Sequence, residues 1–360
     1  MSAPVKSVVV MAGGTGGHVF PALAVAEALR AKGIRIHWLG TRAGIEAELV
    51  PARQFEITYL DVRGVRGQGM ARLLLAPFKI IRAVLVAMRT LRAVQADCVI
   101  GLGGYVTGPG GVAARLLGKP LLIHEQNAIA GFTNRQLARI ATQVLEAFPG
   151  AFPAAGNVRC VGNPVRADIA ALPAPEQRMA GREGALRVLV MGGSQGAVAL
   201  NELVPAALSL LASDVPLDIR HQAGKKNIEK AASRYRDLGL HAEVLPFIHD
   251  MAAIYDWADL VICRSGALTV SELASAGVAS VLIPYPFAVD DHQTANGLYL
   301  SAAGAALMFR QQDLTAENLA DALRPLLNRG SLLGMACAAR EKARPEATES
   351  VVAACLRGGK

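Results

Sequence analysis

Residues 7–18 read SVVVMAGGTGGH and residues 187–197 read RVLVMGGSQGA. Each opens on an apolar, β-branched run, turns through paired glycines and a hydroxyl residue, and continues into an apolar-periodic segment. That is a strand entering a helix through a glycine turn, where backbone N–H groups and the helix dipole converge on one anion-sized spot. Gly14 and Gly193 lie about half a chain apart, which predicts two similar α/β domains facing each other across a cleft. A third loop, GLGGYVTGPGG at 101–111, follows the apolar run Cys98–Ile100. One such turn occurs in any doubly wound fold and says little about its ligand. Three, each after a predicted strand, point to a phosphate-bearing ligand.

Working outward, the first half alternates strands and helices. Strands are expected at Ser7–Ala12, Ile34–Leu39, Phe55–Leu60, Asp97–Gly101, Pro120–His124 and Thr142–Leu145, with a helix at Val19–Ala31. Alternation of this kind builds a parallel sheet. Residues 163–186, rich in Pro, Ala and charge, read as a linker. The second half repeats the pattern with strands at Arg187–Met191, Leu217–His221, Ala242–Leu245, Leu260–Cys263 and Ala279–Pro284, and reads as helical from about Leu314.

The 360 residues are 52% apolar and 5% aromatic, enough for two sizeable cores and against disorder. The five cysteines (Cys98, Cys160, Cys263, Cys337, Cys355) have no CxxC and no metal spacing and read as buried thiols of a reducing compartment. Val8–Ala12 is too short for a signal peptide. The longest uncharged stretch, Leu273–Val289, holds Gly277, Pro284 and Pro286 and reads as helix, turn and strand, not a membrane span.

The net charge is +8, and nearly all of the excess sits in one stretch. Between Asp61 and Asp97 there is no acidic residue, while Arg63, Arg66, Arg72, Lys79, Arg82, Arg89 and Arg92 share the segment with many large apolar side chains. Pro77 is placed to open a helix there. At about 100° per residue, Arg72, Lys79, Arg82 and Arg89 share one quadrant. Ile80, Ile81, Val84, Met88 and Leu91 form the opposite, core-facing side, with Leu74, Phe78 and Leu85 outside both. Two readings stand: the solvated face of a packed helix, or a basic amphipathic patch for an anionic membrane surface that includes Leu75, Phe78, Lys79, Arg82 and Arg89. A nucleic-acid partner is not expected, since the cations are neither scattered nor interleaved with aromatics.

The loops do not suit the common cofactors. GGTGGHV lacks the GxGxxG spacing, the second strand ends in Gly40–Thr41 where a dinucleotide fold needs an acid, and no loop supplies the lysine of a P-loop. A mononucleotide or nucleotide-sugar phosphate fits better. Asp290–Asp291–His292 reads as solvated carboxylates, and no metal is expected.

Longer strings are more specific. In order they are GGTGGHVFPALA (13–24), GLGGYVTGP (101–109), HEQNAIAGFTN (124–134), GNPVR (162–166), GGSQGA (192–197), RSGALTVSELASAG (264–277) and DDHQTANG (290–297). The combination resembles the MurG family, bacterial transferases that carry N-acetylglucosamine (GlcNAc) from UDP-GlcNAc to the muramyl sugar of an undecaprenyl-pyrophosphoryl acceptor, lipid I, giving lipid II for peptidoglycan. The resemblance implies an α/β fold of GT-B architecture with two Rossmann-like domains. They would span 1–163, acceptor- and membrane-facing with a returning C-terminal helix at about 342–360, and 164–341, binding UDP-GlcNAc. It implies inverting transfer without metal or other cofactor, UDP-GlcNAc and lipid I as partners, and a peripheral place on the cytoplasmic face of the plasma membrane.

Carried over residue by residue, the resemblance places the donor on Arg166, Ser194, Ile248, Ala267, Leu268, Thr269, Val270, Ser271, Glu272 and Gln293. Glu272 would take the ribose hydroxyls and Gln293 the sugar. Thr15, Gly16, Gly17 and Asn127 would contact sugar from the first domain, with Gly14, Gly104, Tyr105 and Asn134 on the acceptor side. His292 stands where some relatives have another glutamine.

Inversion needs a base for the acceptor hydroxyl and stabilisation of the departing diphosphate. His18 follows the first glycine loop at a helix N-terminus, where the dipole favours the neutral, proton-accepting imidazole. Glu125 is a second candidate, as base or as orienter. A lipid-linked sugar transferase explains the loops, His18 and the basic segment together. A UDP-sugar epimerase of similar fold explains the loops alone, and a nucleic-acid-binding protein only the charge.

Overall fold

The structure, a computed structural model, describes residues 4–62, 70–193 and 196–358, excluding the side chains of 70–76 and 289. The chain divides into two compact units, 1–166 with 345–360, and 167–344.

In the first unit the elements run β1 (Ser7–Met11), α1 (Gly16–Ala31), β2 (Arg35–Gly40), α2 (Glu46–Ala52), β3 (Glu56–Tyr59), α3 (Met70–Ala93), β4 (Cys98–Gly101), α4 (Thr107–Leu116), β5 (Leu121–Glu125), α5 (Phe132–Ala138), β6 (Gln143–Glu146) and β7 (Val158–Cys160). All seven strands are parallel, in the order β3-β2-β1-β4-β5-β6-β7. Val8, Val9, Val10 and Met11 are fully buried, as the unbroken apolar run of a strand covered on both faces requires. The chain winds one way from β1 to β3 and then returns to lay β4 beside β1. The loops that leave β1 and β4 therefore diverge, opening a crevice at that edge.

The second unit runs α6 (Ala167–Ala170), α7 (Pro175–Met179), β8 (Leu186–Met191), α8 (Val198–Ser209), β9 (Leu217–Gln222), α9 (Ile228–Asp237), β10 (Glu243–Leu245), α10 (Met251–Trp257), β11 (Leu260–Cys263), α11 (Ala267–Ala276), β12 (Ala279–Leu282), α12 (His292–Ser301), β13 (Ala306–Met308), α13 (Ala316–Leu323) and α14 (Arg329–Glu341). Its six parallel strands follow the order β10-β9-β8-β11-β12-β13, with the switch between β8 and β11. The last helix, α15 (Ala347–Leu356), belongs to the first unit: Val351, Val352, Ala354 and Cys355 pack into the core that holds Val8, Val10 and Cys98.

Four expectations change. Cys98, Cys263 and Cys355 are buried, but Cys160, on the edge strand β7, is exposed and Cys337, on α14, is half-buried. The edge strands β7 and β13 fall outside the predicted set, being three residues each. The stretch read as a linker is mostly packed structure. Arg178 donates to the carbonyls of Tyr255 and Gly277, Arg182 to Asp259 (2.7 Å), and Arg340 to the carbonyls of Ser275 and Leu172. These arginines satisfy carbonyls at the C-terminal ends of α10 and α11, where cations also complement the dipole. Finally, Pro77 does not open α3, which starts about two turns earlier.

Candidate active site

In the first unit, Thr15 holds the N-cap position of α1 in extended conformation and its carbonyl accepts from the His18 and Val19 amides (3.1 and 3.2 Å). His18 is thereby fixed in the first turn, half-buried, beside exposed Thr15 and Gly17. The loop after β4 meets it. Gly103 and Gly104 both have positive φ, and a Cβ on Gly103 would lie 2.5 Å from His18 Cδ2, one on Gly104 2.4 Å from the Gly13 carbonyl oxygen. Only glycine permits both the backbone conformation and this approach. Gly14, Thr15, Gly16, Gly17, His18 and Gly104 are thus brought to one place at the switch point, with Tyr105 beside them and 60% exposed.

The 124–134 segment leaves β5 at the same edge of the sheet. Glu125 is buried, and its oxygens accept from the Asn127 amide (3.0 Å), Asn127 Nδ2 (3.1 Å), the Gly131 amide (3.1 Å) and Asn134 Nδ2 (2.8 Å). Four donors fill the four lone-pair positions of a carboxylate. These bonds tie Asn127, Gly131 and Asn134 to the end of β5 and fix the shape of the loop. Behind it, His124 donates from Nε2 to the Gly162 carbonyl (2.9 Å) and accepts at Nδ1 from Gln126 (3.1 Å), while Asn163 donates to the Gln126 carbonyl. Burial pulls the pKa of His124 below the ordinary histidine value, so the ring is a neutral strut between HEQN and GNP.

In the second unit, Gly192, Gly193 and Gly196 carry the turn after β8, and α8 starts without a side-chain cap. Ser194 lies outside the described residues. A Cβ on Gly196 would come 2.3 Å from the Ala223 carbonyl oxygen. The turn after β11 enters α11 through Gly266, which brings no side chain to the helix end, whereas α10, α13 and α14 are capped by Asp250, Thr315 and Asn328. The first turn of α11 carries Ala267, Leu268 and Thr269. Val270 is fully buried, and its amide bonds back to the Gly266 carbonyl (2.9 Å), so its side chain is turned into the core. The Ser271 hydroxyl donates to the Ala267 carbonyl (3.0 Å).

Glu272 is 6% exposed, and its Oε2 accepts from the hydroxyl of Tyr255, itself fully buried (3.1 Å). Gln293 Oε1 accepts from the Tyr285 amide (2.9 Å), which orients its side-chain NH2 as a donor. Just before it, Asp290 and Asp291 both take left-handed backbone angles (φ 52° and 50°). Ile248 is buried, and Arg166, half-buried, ends the first unit's N-terminal segment.

Residues 8–146 match the glycosyltransferase family 28 N-terminal domain and residues 187–351 its C-terminal domain. The UDP-N-acetylglucosamine--N-acetylmuramyl-(pentapeptide) pyrophosphoryl-undecaprenol N-acetylglucosamine transferase of Marinobacter nauticus is 54% identical over 98% of this chain and 98% of its own. The transferase of the same name from Acinetobacter baylyi is 53% identical over 96% of each. The crystal structure of Acinetobacter baumannii MurG superposes with a TM-score of 0.86 at 48% identity, covering 98% of this chain and 99% of that one.

The chain belongs to the MurG family.

Its two parallel-sheet, Rossmann-like units are those of a GT-B glycosyltransferase. A UDP-GlcNAc 2-epimerase from Neisseria meningitidis, with a TM-score of 0.68 but 12% identity, shares the fold alone. For a MurG-family chain the surface of α3 is the second region of interest. Among the described side chains its buried positions are Ala83, Ala87 and Leu91, with Val84, Val86 and Met88 partly buried against the same core. The expectation that Ile80 and Ile81 face the core is therefore corrected. They are 47% and 57% exposed, with Leu85 49% and Phe78 72%, among exposed Lys79, Arg82 and Arg89. Arg63 and Arg66 lie outside the described residues, and Arg72, Leu74 and Leu75 outside the described side chains.

Among the described residues no cluster of His, Cys, Asp or Glu could hold a metal ion, and no helix is long and apolar enough to cross a membrane. Sequence reasoning missed Tyr255 behind Glu272 and His124 behind Glu125. It also missed Arg264, which ties the end of β11 to the Ile283 and Pro284 carbonyls and to Gln311.

Proposed function

We propose that this protein transfers GlcNAc from UDP-GlcNAc to the muramyl sugar of undecaprenyl-pyrophosphoryl-MurNAc-pentapeptide, lipid I, giving lipid II. The observation that carries this reading is near-full-length identity above 50% to transferases of that name, on a chain that keeps the family's glycine loops.

The second unit holds the donor. The first-turn amides of α11 and the positive end of its dipole face the diphosphate. Glu272, held by Tyr255, accepts from the ribose hydroxyls. Gln293 donates to the sugar, and Arg166, Ser194 and Ile248 complete the nucleotide's surroundings. The first unit serves the acceptor. Neutral His18 takes the proton of the attacking hydroxyl as the bond to the anomeric carbon forms and the bond to UDP breaks, inverting the configuration. Glu125 orients Asn127 and Asn134, and Thr15–Gly17 meet sugar hydroxyls. Charge on the leaving diphosphate is met by amides and a helix dipole, so the chemistry needs no divalent ion.

The exposed apolar residues and cations of α3 lie on an anionic membrane surface, at the cytoplasmic face where a nucleotide donor and a lipid-linked acceptor meet. The test is transfer of label from UDP-GlcNAc to a lipid I analogue by purified protein with EDTA present. Labelled disaccharide-lipid is the expected product. Release of free or epimerised sugar without transfer overturns the reading. Loss of transfer restored by manganese or magnesium overturns its metal-free form.

A further inference from the structure

The mechanism leaves the fully buried carboxylate of Glu46 unused. Glu46, at the start of α2, accepts from the Gly14 amide (2.9 Å), the Thr41 amide (2.8 Å) and the Thr41 hydroxyl (2.7 Å). Every one of these partners is a donor, an arrangement that suits the ionised form. Among the described residues it makes no ion pair. Three glycines wall it in: a Cβ on Gly13, Gly40 or Gly44 would fall 2.5, 2.8 or 2.0 Å from its side-chain atoms. The space is cut to one carboxylate.

Gly14 is the glycine whose amide the sequence pattern offers to an anion. We propose that Glu46 is the resident anion of the first glycine loop and a positioning residue for the site. It takes the amide that a phosphate would use, and a phosphate brought there would meet an unscreened like charge. The loop therefore presents Thr15–Gly17 to the hydroxyls of an uncharged sugar, and the phosphates of both substrates bind elsewhere. Gly13 is pinned between this carboxylate and Gly104, so the turn that launches α1, and with it His18, is set by Glu46. The sugar half of the inference rests on the transferase reading, and the anion half does not.

Two variants test it. Glu46→Ala leaves a carboxylate-sized hole lined by donors, and formate should fill it. The melting temperature of this variant should fall, and formate should raise it by more than it raises that of wild type. Glu46→Gln fills the hole but sets an NH2 group against N–H donors. It should melt lower than wild type and show no extra response to formate. The donor kcat/KM should fall about tenfold in either variant, with formate restoring part of it in Glu46→Ala alone. The melting readout needs no substrate, so it decides the anion half even if the transferase reading fails. If Glu46→Ala does not fold, Glu46→Gln carries the test. Wild-type melting and kcat/KM in Glu46→Gln, or a formate response in Glu46→Ala no larger than in wild type, overturns the inference.

Discussion

In the first unit the Gly14 amide donates to a buried side chain of the same unit, 32 residues further on. In the second, the corresponding turn closes on main chain: the Gly192 amide bonds to the Gln222 carbonyl and Gly196 packs on the Ala223 carbonyl. The contrast continues into the helices. The first turn of α1, which leaves the first string, presents an imidazole; in the second unit the largely buried carboxylate, Glu272, comes not from α8, which leaves the second string, but from α11 after β11, just past its first turn. Two strings that read almost alike therefore support different chemistry. The motif fixes where a ligand can approach, at the switch point of a parallel sheet. What fills the turn from the rest of the fold decides whether charge, hydroxyl or proton is handled there.

The largest expected effect separates the two regions outright. His18→Ala should lower kcat by roughly 10²–10⁴-fold, the range for a positioned base, with little change in donor KM. A kcat within a few-fold of wild type, read in steady-state transfer to a lipid I analogue, would move the base off the first unit's loop. Next comes the second unit. Glu272→Ala removes hydrogen bonds to a charged group, each worth about 1.5–3 kcal/mol, so the donor KM should rise about a hundredfold. An unchanged KM would leave the ribose without its proposed partner.

A third test concerns the surface outside both loops. Replacing Lys79, Arg82 and Arg89 by glutamate removes about 1 kcal/mol of attraction per cation. Flotation with anionic vesicles should drop sharply, and salt should weaken wild-type binding in the same way. Turnover of a short, water-soluble acceptor should persist. Equal flotation of wild type and variant would make α3 a solvated face and nothing more.

The smallest effect sharpens the comparison through two buried histidines. His221, between Tyr235 OH (2.9 Å) and Asn201 Oδ1 (3.0 Å), steadies the second unit as His124 steadies the first. Burial lowers the His221 pKa from 6.5 to about 4. The unfolded chain binds that proton at a higher pH than the folded one. The stabilisation is therefore whole above 6.5 and is lost as pH falls toward 4, at about 1.4 kcal/mol per pH unit. Melting should shift by a few degrees per pH unit in this window, and His221→Gln should flatten the slope. An unaltered slope would mean that other groups carry the acid sensitivity.

Much of this was legible in the chain itself. The central strands β1, β4, β8 and β11 announce themselves as β-branched runs ending in glycine or polar turns, and they alone locate both switch points. His18 stands beside those turns in sequence and Glu125 at the end of β5, and local reading singles both out, whereas Glu272 enters only through the family resemblance. Glu46, Tyr255 and His124 were not reached because each acts through a partner brought close only by the sheet or by packed helices. On α3 the expected core face holds at Leu91, which is buried, and at Val84 and Met88, which pack partly buried against the core, but fails at Ile80 and Ile81, because a periodicity of large apolar residues does not show that Ala83 and Ala87 are also buried. The strands β7 and β13 are too short to carry an alternation, and the arginines of the supposed linker bond to carbonyls that only the folded helices supply.

The division of labour between the two units is most directly tested by titrating UDP into wild type, His18→Ala and Glu272→Ala in a calorimeter. The account predicts that His18→Ala binds UDP like wild type while Glu272→Ala binds it about a hundredfold more weakly. Weakened binding in His18→Ala together with wild-type affinity in Glu272→Ala would contradict it, placing the nucleotide on the first unit.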